Sequence, residues 1–421
     1  MPAPSTSTAS AASASARRAV EAVWRIEAAR IVASLTRMTG DFALAEDVAQ
    51  EALAEALASW PSAGVPANPG AWLVAVGKRR AIDQWRRAST QDDRYRRLAR
   101  DLDEAIEPSW DPEAIEDDVL RLIFIACHPV LSREASVALT LRVVGGLSTD
   151  EIARAFLVPV ATVQQRIVRA KKTLAAAAVP FEVPTPDEHP ARLSAVLSVL
   201  YLIFNEGYAA SAGERWMRTD LSSEALRLAR VLAGLVPKEP EAHGLVALMA
   251  LSAARFPARL DAAGDPILLA DQDRTRWDRG LIALGRRALE SCDALGRGRG
   301  PYALQAAIAE CHDVAPSVDD TDWDRIALLY EALGRIAPSP VVELNRAVAV
   351  SMAEGPATAL RIVDGLAPAL AAYAQLPGVR AELLIRLGRV DEARAELERA
   401  AALTGNDRER AVFARKLAAL G

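Results

Sequence analysis

Residues 147–174 hold two helical patterns separated by a single proline, which leaves the segment few ways to fold. They read Leu-Ser-Thr-Asp-Glu-Ile-Ala-Arg-Ala-Phe-Leu-Val-Pro-Val-Ala-Thr-Val-Gln-Gln-Arg-Ile-Val-Arg-Ala-Lys-Lys-Thr-Leu. Ser148 followed three positions later by Glu151 is a capping box, so a helix starts there. Ile152 and Phe156 give that helix an inward face, and Ala153 is small enough for a second helix to cross closely. Pro159 cannot continue the first helix, yet its fixed φ suits the start of the next. The second helix turns Val163 and Ile167 inward and carries Arg166, Arg169, Lys171 and Lys172, with no acid between Ala155 and Val179. This is the pattern of a helix-turn-helix whose second helix enters a DNA major groove. The amides of Gln164 and Gln165 suit adenine edges and Arg166 suits guanine, while Arg169 and Lys172 suit phosphates. The plainer alternative is an amphipathic hairpin with a solvated basic face.

The rest of the chain is helical in character too. Ala, Leu, Arg and Glu dominate, there are only 7 Phe and 6 Tyr, and long β-branched runs are missing, which predicts an all-α fold. A length of 421 residues allows two to four domains. Charges balance through Pro180, so the net charge of −5 belongs to the remainder. Cys127, Cys292 and Cys311 lack CxxC spacing, and no residue set points to a disulfide framework, a metal or a cofactor. Buried thiols in a reducing cytoplasm are the expectation. Residues 1–16, rich in Ala, Ser, Thr and Pro, read as a disordered leader rather than a signal peptide. The apolar run from Leu193 to Phe204 is too short to span a bilayer, which needs about 20 residues.

Upstream, helical periodicity runs from near Arg17 to about Trp60, breaks over the Pro/Gly-bearing stretch 61–69, and resumes from Ala71 to about Arg87. Asp47, Gln50 and Glu51 fall at i, i+3 and i+4, so one helical face carries all three. Such a stripe suits a partner helix bearing Arg, or simply water. The second helix alternates Trp72 and Val76 with Lys78, Arg79, Arg86 and Arg87. Trp60 and Trp72 flank the intervening loop and serve either to stack an unpaired base or to pack a core. Arg79 and Asp83, four apart, also fit a surface pair.

These segments together resemble the extracytoplasmic-function sigma factors of bacterial RNA polymerase. Residues 147–174 are similar to region 4 of that family, with Gly146, Leu147, Ser148, Glu151, Ile152, Ala153, Val158, Pro159, Thr162, Val163, Arg166, Arg169, Ala170 and Leu174 in register. Leu157 and Ala161 stand where glycine is usual, and a left-handed Leu157 would cost roughly 1–2 kcal/mol. Residues 47–57 resemble region 2.2, and Trp72, Leu73, Asp83, Arg86 and Arg87 match regions 2.3 and 2.4, with Gly77-Lys78-Arg79 replacing an Ala-Arg-Asn step. The resemblance implies two helical modules, region 2 over 17–90 and region 4 over 119–178, joined by a flexible acidic linker, 91–118. It implies Trp72, Lys78, Arg79, Asp83, Arg86 and Arg87 at the −10 promoter element, and Thr162, Gln164, Gln165, Arg166, Arg169 and Lys172 at the −35 element. It also implies that Asp47, Gln50 and Glu51 dock on the β′ clamp helices of core RNA polymerase, with region 4 on the β flap. The linker would thread the RNA-exit channel or act as a solvated spacer.

A Pro-rich linker, 179–190, precedes a helical extension over 191–421. Within 321–403, Ala347, Val350 and Ala359 recur as Ala381, Leu384 and Ala393, each 34 residues on, which predicts tetratricopeptide-like hairpins. The runs Tyr201–Tyr208 and Leu269–Trp277, and Cys127-His128-Pro129, resemble a subgroup of the family with a long extension. That extension is expected to tune the sigma modules as a helical regulator contacting either them or polymerase. Asn205, Glu206, Tyr208, Asp271, Gln272, Asp273, Arg276 and Trp277 are its most chemically equipped residues, and Glu206 with His243 would be the only material for a catalytic reading. Two other classes remain open: a one-component helix-turn-helix regulator with an effector domain, and an enzyme fused to a DNA-binding adaptor.

Overall fold

The computed structural model describes residues 6–88, 112–156, 158–177, 179–208, 219–261, 267–404 and 407–420. These form eighteen α-helices and no strand, so the fold is all-α. The chain divides into two compact units, with the boundary just past Gly207.

The first unit opens with a three-helix bundle: α1 (Thr6–Thr39), α2 (Phe42–Ala63) and α3 (Pro69–Ala88). Helix α1 begins well before Arg17, so the expected leader is helical from Thr6, in keeping with the high helix propensity of its alanines. The single pattern read through Trp60 is two helices. Gly40 ends α1, and Asp41 caps α2, its Oδ1 accepting the N–H groups of Ala43 and Leu44 at 2.8 and 3.0 Å. Helix α2 continues through Pro61 to Ala63. Asn68 Oδ1 then accepts the Ala71 N–H at 3.1 Å to start α3. Ile31, Leu35, Val48, Ala52, Leu73, Val76 and Trp85 fill the bundle core.

Four helices follow: α4 (Pro112–Ala126), α5 (Arg133–Val143), α6 (Thr149–Phe156) and α7 (Val160–Ala176). Helix α4 starts at Pro112 rather than Val119, because proline suits a first helical turn and the acids after it favour the positive N-terminal end. The rest of the expected linker, 91–111, lies outside the described residues, as does Leu157. The capping box forms: Ser148 N–H donates to Glu151 Oε2 at 2.8 Å, and Glu151 N–H donates to Ser148 Oγ at 3.1 Å.

The two modules, expected as separate bodies on a tether, pack directly on one another. Arg37 on α1 donates to Asp118 on α4 at 2.7 Å, and Asp118 is fully buried and also paired with Arg121 at 2.7 Å. Arg25 on α1 reaches Glu151 at 2.5 Å. Gly146, at φ +70, lies so close to α1 that a Cβ there would stand 3.1 Å from Ala28 Cβ and 3.3 Å from the Trp24 carbonyl oxygen.

Helix α8 (His189–Tyr208), the first of the extension, belongs to this unit as well. Arg192 donates to the Phe124 carbonyl at 2.9 Å, and the His189 ring meets Phe124 edge-on at 5.6 Å. Helix α8 thus packs on α4 within the first unit.

The second unit begins with α9 (Thr219–Leu235) and α10 (Pro240–Ala254), the latter apolar nearly all round and enclosed by α9, α11 (Arg279–Ala294) and α12 (Pro301–Val314). Six helices then stack in chain order: α13 (Trp323–Ile336), α14 (Pro340–Ala353), α15 (Pro356–Leu366), α16 (Gln375–Arg386), α17 (Val390–Leu403) and α18 (Asp407–Ala419). Ala347, Ala359, Ala381, Ala393, Val350 and Leu384 are all buried, so the 34-residue recurrence marks where neighbouring helices touch.

Burial pushes the Glu151 carboxyl up, but the Ser148 N–H, the Ser148 hydroxyl and Arg25 outweigh it and hold the group below the usual carboxylate range. A depressed folded value means a contribution that is complete above the unfolded carboxylate pKa, about 4.3, and lost as pH falls through the folded one. Urea titrations at a series of pH values should therefore show a smaller acid-induced loss of stability for Glu151→Gln than for the wild type.

Candidate nucleic-acid interface

On α7, Val163, Ile167, Ala170 and Leu174 are buried. That fixes the opposite face: Ala161, Gln164, Gln165, Val168, Arg169 and Lys172, at helical spacing, are exposed and line one shallow groove. Thr162 is half-buried at the start of the helix. The structure thus brings together Gln164, Gln165, Arg169 and Lys172. Arg166 stands apart from them. It is half-buried and lines a small cavity with Glu134 of α5 and Leu202 and Glu206 of α8. The Glu134 carboxyl is held below its usual range by its own backbone N–H and by Ser132, with the Arg166 charge adding to them.

On α3, Trp72 is half-buried and meets the buried Trp60 edge-on, ring centres 5.3 Å apart. Trp60 is a packing residue. Lys78 is half-buried, and Arg79, Asp83, Arg86 and Arg87 are exposed. Arg79 reaches Glu55 on α2 at 3.8 Å, and the neighbouring Arg80, which sequence reading passed over, holds the same carboxylate at 2.7 Å. Gly77 answers a close approach, since a Cβ there would stand 2.7 Å from Leu35 Cδ1 in the core. That contact accounts for glycine where the family pattern has alanine.

On α2, Asp47 and Glu51 are exposed and Gln50 is half-buried. Glu51 accepts from Gln84 at 3.1 Å, and Arg80 lies 3.9 Å away. Asp47 accepts from Lys171 on α7 at 2.7 Å. Glu46, which sequence reading missed, is only 4% exposed and takes two cations of the helix-turn-helix module: Arg142 at 3.3 Å, and Lys171 in a short ion pair. Its flanking apolar neighbours Ala45, Val48 and Ala49 were the signal that this acid faces inward.

Comparison with known proteins finds relatives of both modules. A family model described as Sigma-70 region 2 matches residues 25–91, and one described as Sigma-70, region 4 matches 121–174. The ECF RNA polymerase sigma factor SigL of Mycobacterium tuberculosis is 31% identical over 140 residues, covering 33% of this chain and 76% of that protein. The chain belongs to the extracytoplasmic-function sigma factors. A second relative of this sigma factor, described as probable ECF RNA polymerase sigma factor SigI of the same organism, is 31% identical over 158 residues, 37% of this chain and 54% of the relative. The extension is shared more widely than those two alignments reach. An uncharacterised protein of Rhizobium meliloti is 46% identical over 398 residues, 91% of this chain and 92% of that one. A family of unknown function matches residues 192–293. No solved structure matches.

Several distinctive residues of the extension, Gln272, Asp273 and Trp277 among them, are held in structural contacts. Glu206 lies in the first unit and the run Asp271–Trp277 in the second. Asp273 accepts from Thr275 N–H at 2.9 Å, Gln272 donates to the Ile267 carbonyl at 3.1 Å, and Arg274 donates to the carbonyls of His312 and Ala315, both at 2.6 Å. Trp277 is buried beneath the Arg274 guanidinium, 4.8 Å from its ring centre. A cavity of about 600 Å³ in this unit is lined by Arg255, Gln272, Val348, Phe413 and Lys416 among others. His243 Nε2 lies 2.9 Å from the Pro237 carbonyl oxygen. Among the described residues, no group of three or more His, Cys, Asp or Glu is placed to hold a metal, and no helix is long and apolar enough to cross a membrane.

All three cysteines are buried. Burial pushes the Cys127 thiol up to about 12 and the Cys292 thiol up to about 11, and raises Cys311 as well. Because the thiolate is the reactive form, an aromatic disulfide reagent at pH 8 should titrate none of the three in the native chain and all three after denaturation.

Proposed function

We propose that this sigma factor binds core RNA polymerase through region 2 and directs it to promoters. In this reading α3 contacts the −10 element, α7 contacts the −35 element, and the C-terminal unit tunes the outcome. The observation that carries the proposal is the outer face of α7: Gln164, Gln165, Arg169 and Lys172 are exposed side by side on a helix without acids. The side-chain amides read base edges, each good bidentate contact being worth about 1–3 kcal/mol of discrimination. Arg169 and Lys172 hold phosphates and set the register. On α3, Lys78, Arg79, Arg86 and Arg87 give the second cationic surface, with Trp72 at the end where the chain leaves the loop before it, and Asp83 among the cations. Asp47, Gln50 and Glu51 supply the acid-bearing face of α2 for the basic β′ clamp helices, and region 4 takes the β flap.

Run-off transcription from a promoter library with core polymerase tests this. Addition of the chain should create defined start sites, and the double variant Asp47→Arg/Glu51→Arg should abolish both them and co-purification with core. The chain alone should leave promoter fragments unprotected, unlike a one-component repressor.

The roles on α7 separate by salt and sequence. Lys172→Ala should weaken promoter binding by the holoenzyme uniformly across sequences and lower the slope of log affinity against log salt by about 1. Gln165→Ala should change base preference at one −35 position and leave that slope intact. An equal loss on all sequences for both variants would remove the base-reading assignment.

A further inference from the structure

The acid face of α2 is already occupied in the free chain, by the chain itself. Lys171 projects from the flank of α7, its side chain only 14% exposed, and binds both Glu46 and Asp47. Arg142 of α5 binds Glu46 at 3.3 Å and is itself anchored on the Leu147 carbonyl at 3.1 Å. In the opposite sense, Glu151 at the start of α6 takes Arg25 of α1. With Arg37 and Asp118, the second module thus offers two cations and two anions to two anions and two cations of region 2. Such reciprocity selects one docking geometry, because any other leaves a near-buried carboxylate without its partners.

We propose that Glu46, Asp47, Arg142 and Lys171 form an intramolecular latch: region 4 docks on the α2 face and holds it closed until core polymerase displaces it. The proposal rests on the reading that α2 is the polymerase-binding helix. Two geometric consequences set the closed and engaged states against each other. A basic helix of the polymerase that pairs with Asp47 competes with Lys171 for that carboxylate, and so with the docking of α7 on α2. A chain whose α7 is bonded to α2 also cannot lay α7 and α3 on two promoter elements more than one duplex turn, about 34 Å, apart. Only the open fraction is competent, so apparent core affinity is reduced by that fraction. The latch is therefore a selectivity device, since the chain opens for a partner that replaces its contacts on α2.

A water-soluble carbodiimide, which joins a carboxylate and an amine only in direct contact, reads the latch in the full-length wild type. Peptide mapping should find the Asp47–Lys171 amide in the free chain and lose it when the chain is saturated with core polymerase. Absence of that amide in the free chain, or an undiminished yield with core bound, overturns the proposal. Because it needs no variant, this measurement stands even if a substitution disturbs folding. In parallel, Lys171→Gln/Arg142→Gln should raise core affinity about tenfold or more, while Lys171→Arg, which keeps the pairs, should match the wild type. Equal affinity for all three also overturns the latch. Failure of every form to bind core overturns the polymerase reading and the exclusion built on it, whereas the free-chain amide decides the closed contact on its own.

Discussion

A carboxylate removed from water must be paired, or it costs several kcal/mol, and Glu46 imposes that condition on the whole first unit. It sits on α2 among Ala45, Val48 and Ala49, facing away from solvent, and its two cations come from α5 and α7. Region 2 therefore cannot satisfy its own interior without region 4. Asp118 echoes the arrangement from the other side, fully buried on α4 and shared between Arg37 of α1 and Arg121 of its own helix. Each module holds a buried acid that takes a cation from the other. Buried pairs of this kind contribute less to net stability than to specificity, because a misplaced module leaves the charge stranded.

Helix α7 shows how much one short helix can carry when its period is used fully. Four apolar residues lock it to its own module, an outer face exposes amides and cations, and a flank delivers Lys171 to region 2. A shift of one position would turn Lys172 toward Glu46 and drive Lys171 into the buried place of Ala170. The division between the exposed Lys172 and the paired Lys171 is thus set by a single residue of phase, about 100° of rotation.

Local rules made most of the elements legible. The capping box at Ser148 and Glu151, the proline before α7 and the 34-residue recurrence all describe contacts within a few turns, or within repeated neighbours. The break at Gly40 and Asp41 escaped notice because apolar periodicity runs on across it, although glycine followed by aspartate is itself a stop and a start. The docking of the modules was not legible. Its ion pairs join residues 96, 124 and 126 positions apart, and an acid on a helix looks the same in sequence whether it faces water or a distant lysine. The same limit applies to Arg166. Its position on α7 allows base contact, but whether it joins Gln164 and Gln165 depends on α5 and α8, which pack beside it.

That placement bears on what region 4 reads. With Arg166 drawn into the cavity shared with Glu134 and Glu206, the outer face of α7 presents two amides ahead of its cations. Amides pair with adenine edges and guanidinium with guanine, so this disposition favours an adenine-bearing −35 element in the reading proposed above. Helix α8 is what closes the cavity, and it is fixed to α4 through Arg192 and the Phe124 carbonyl. The first helix of the extension thereby lines a cavity with α7. In the reading proposed above, a helix of the extension that stands beside α7 biases promoter choice through its position.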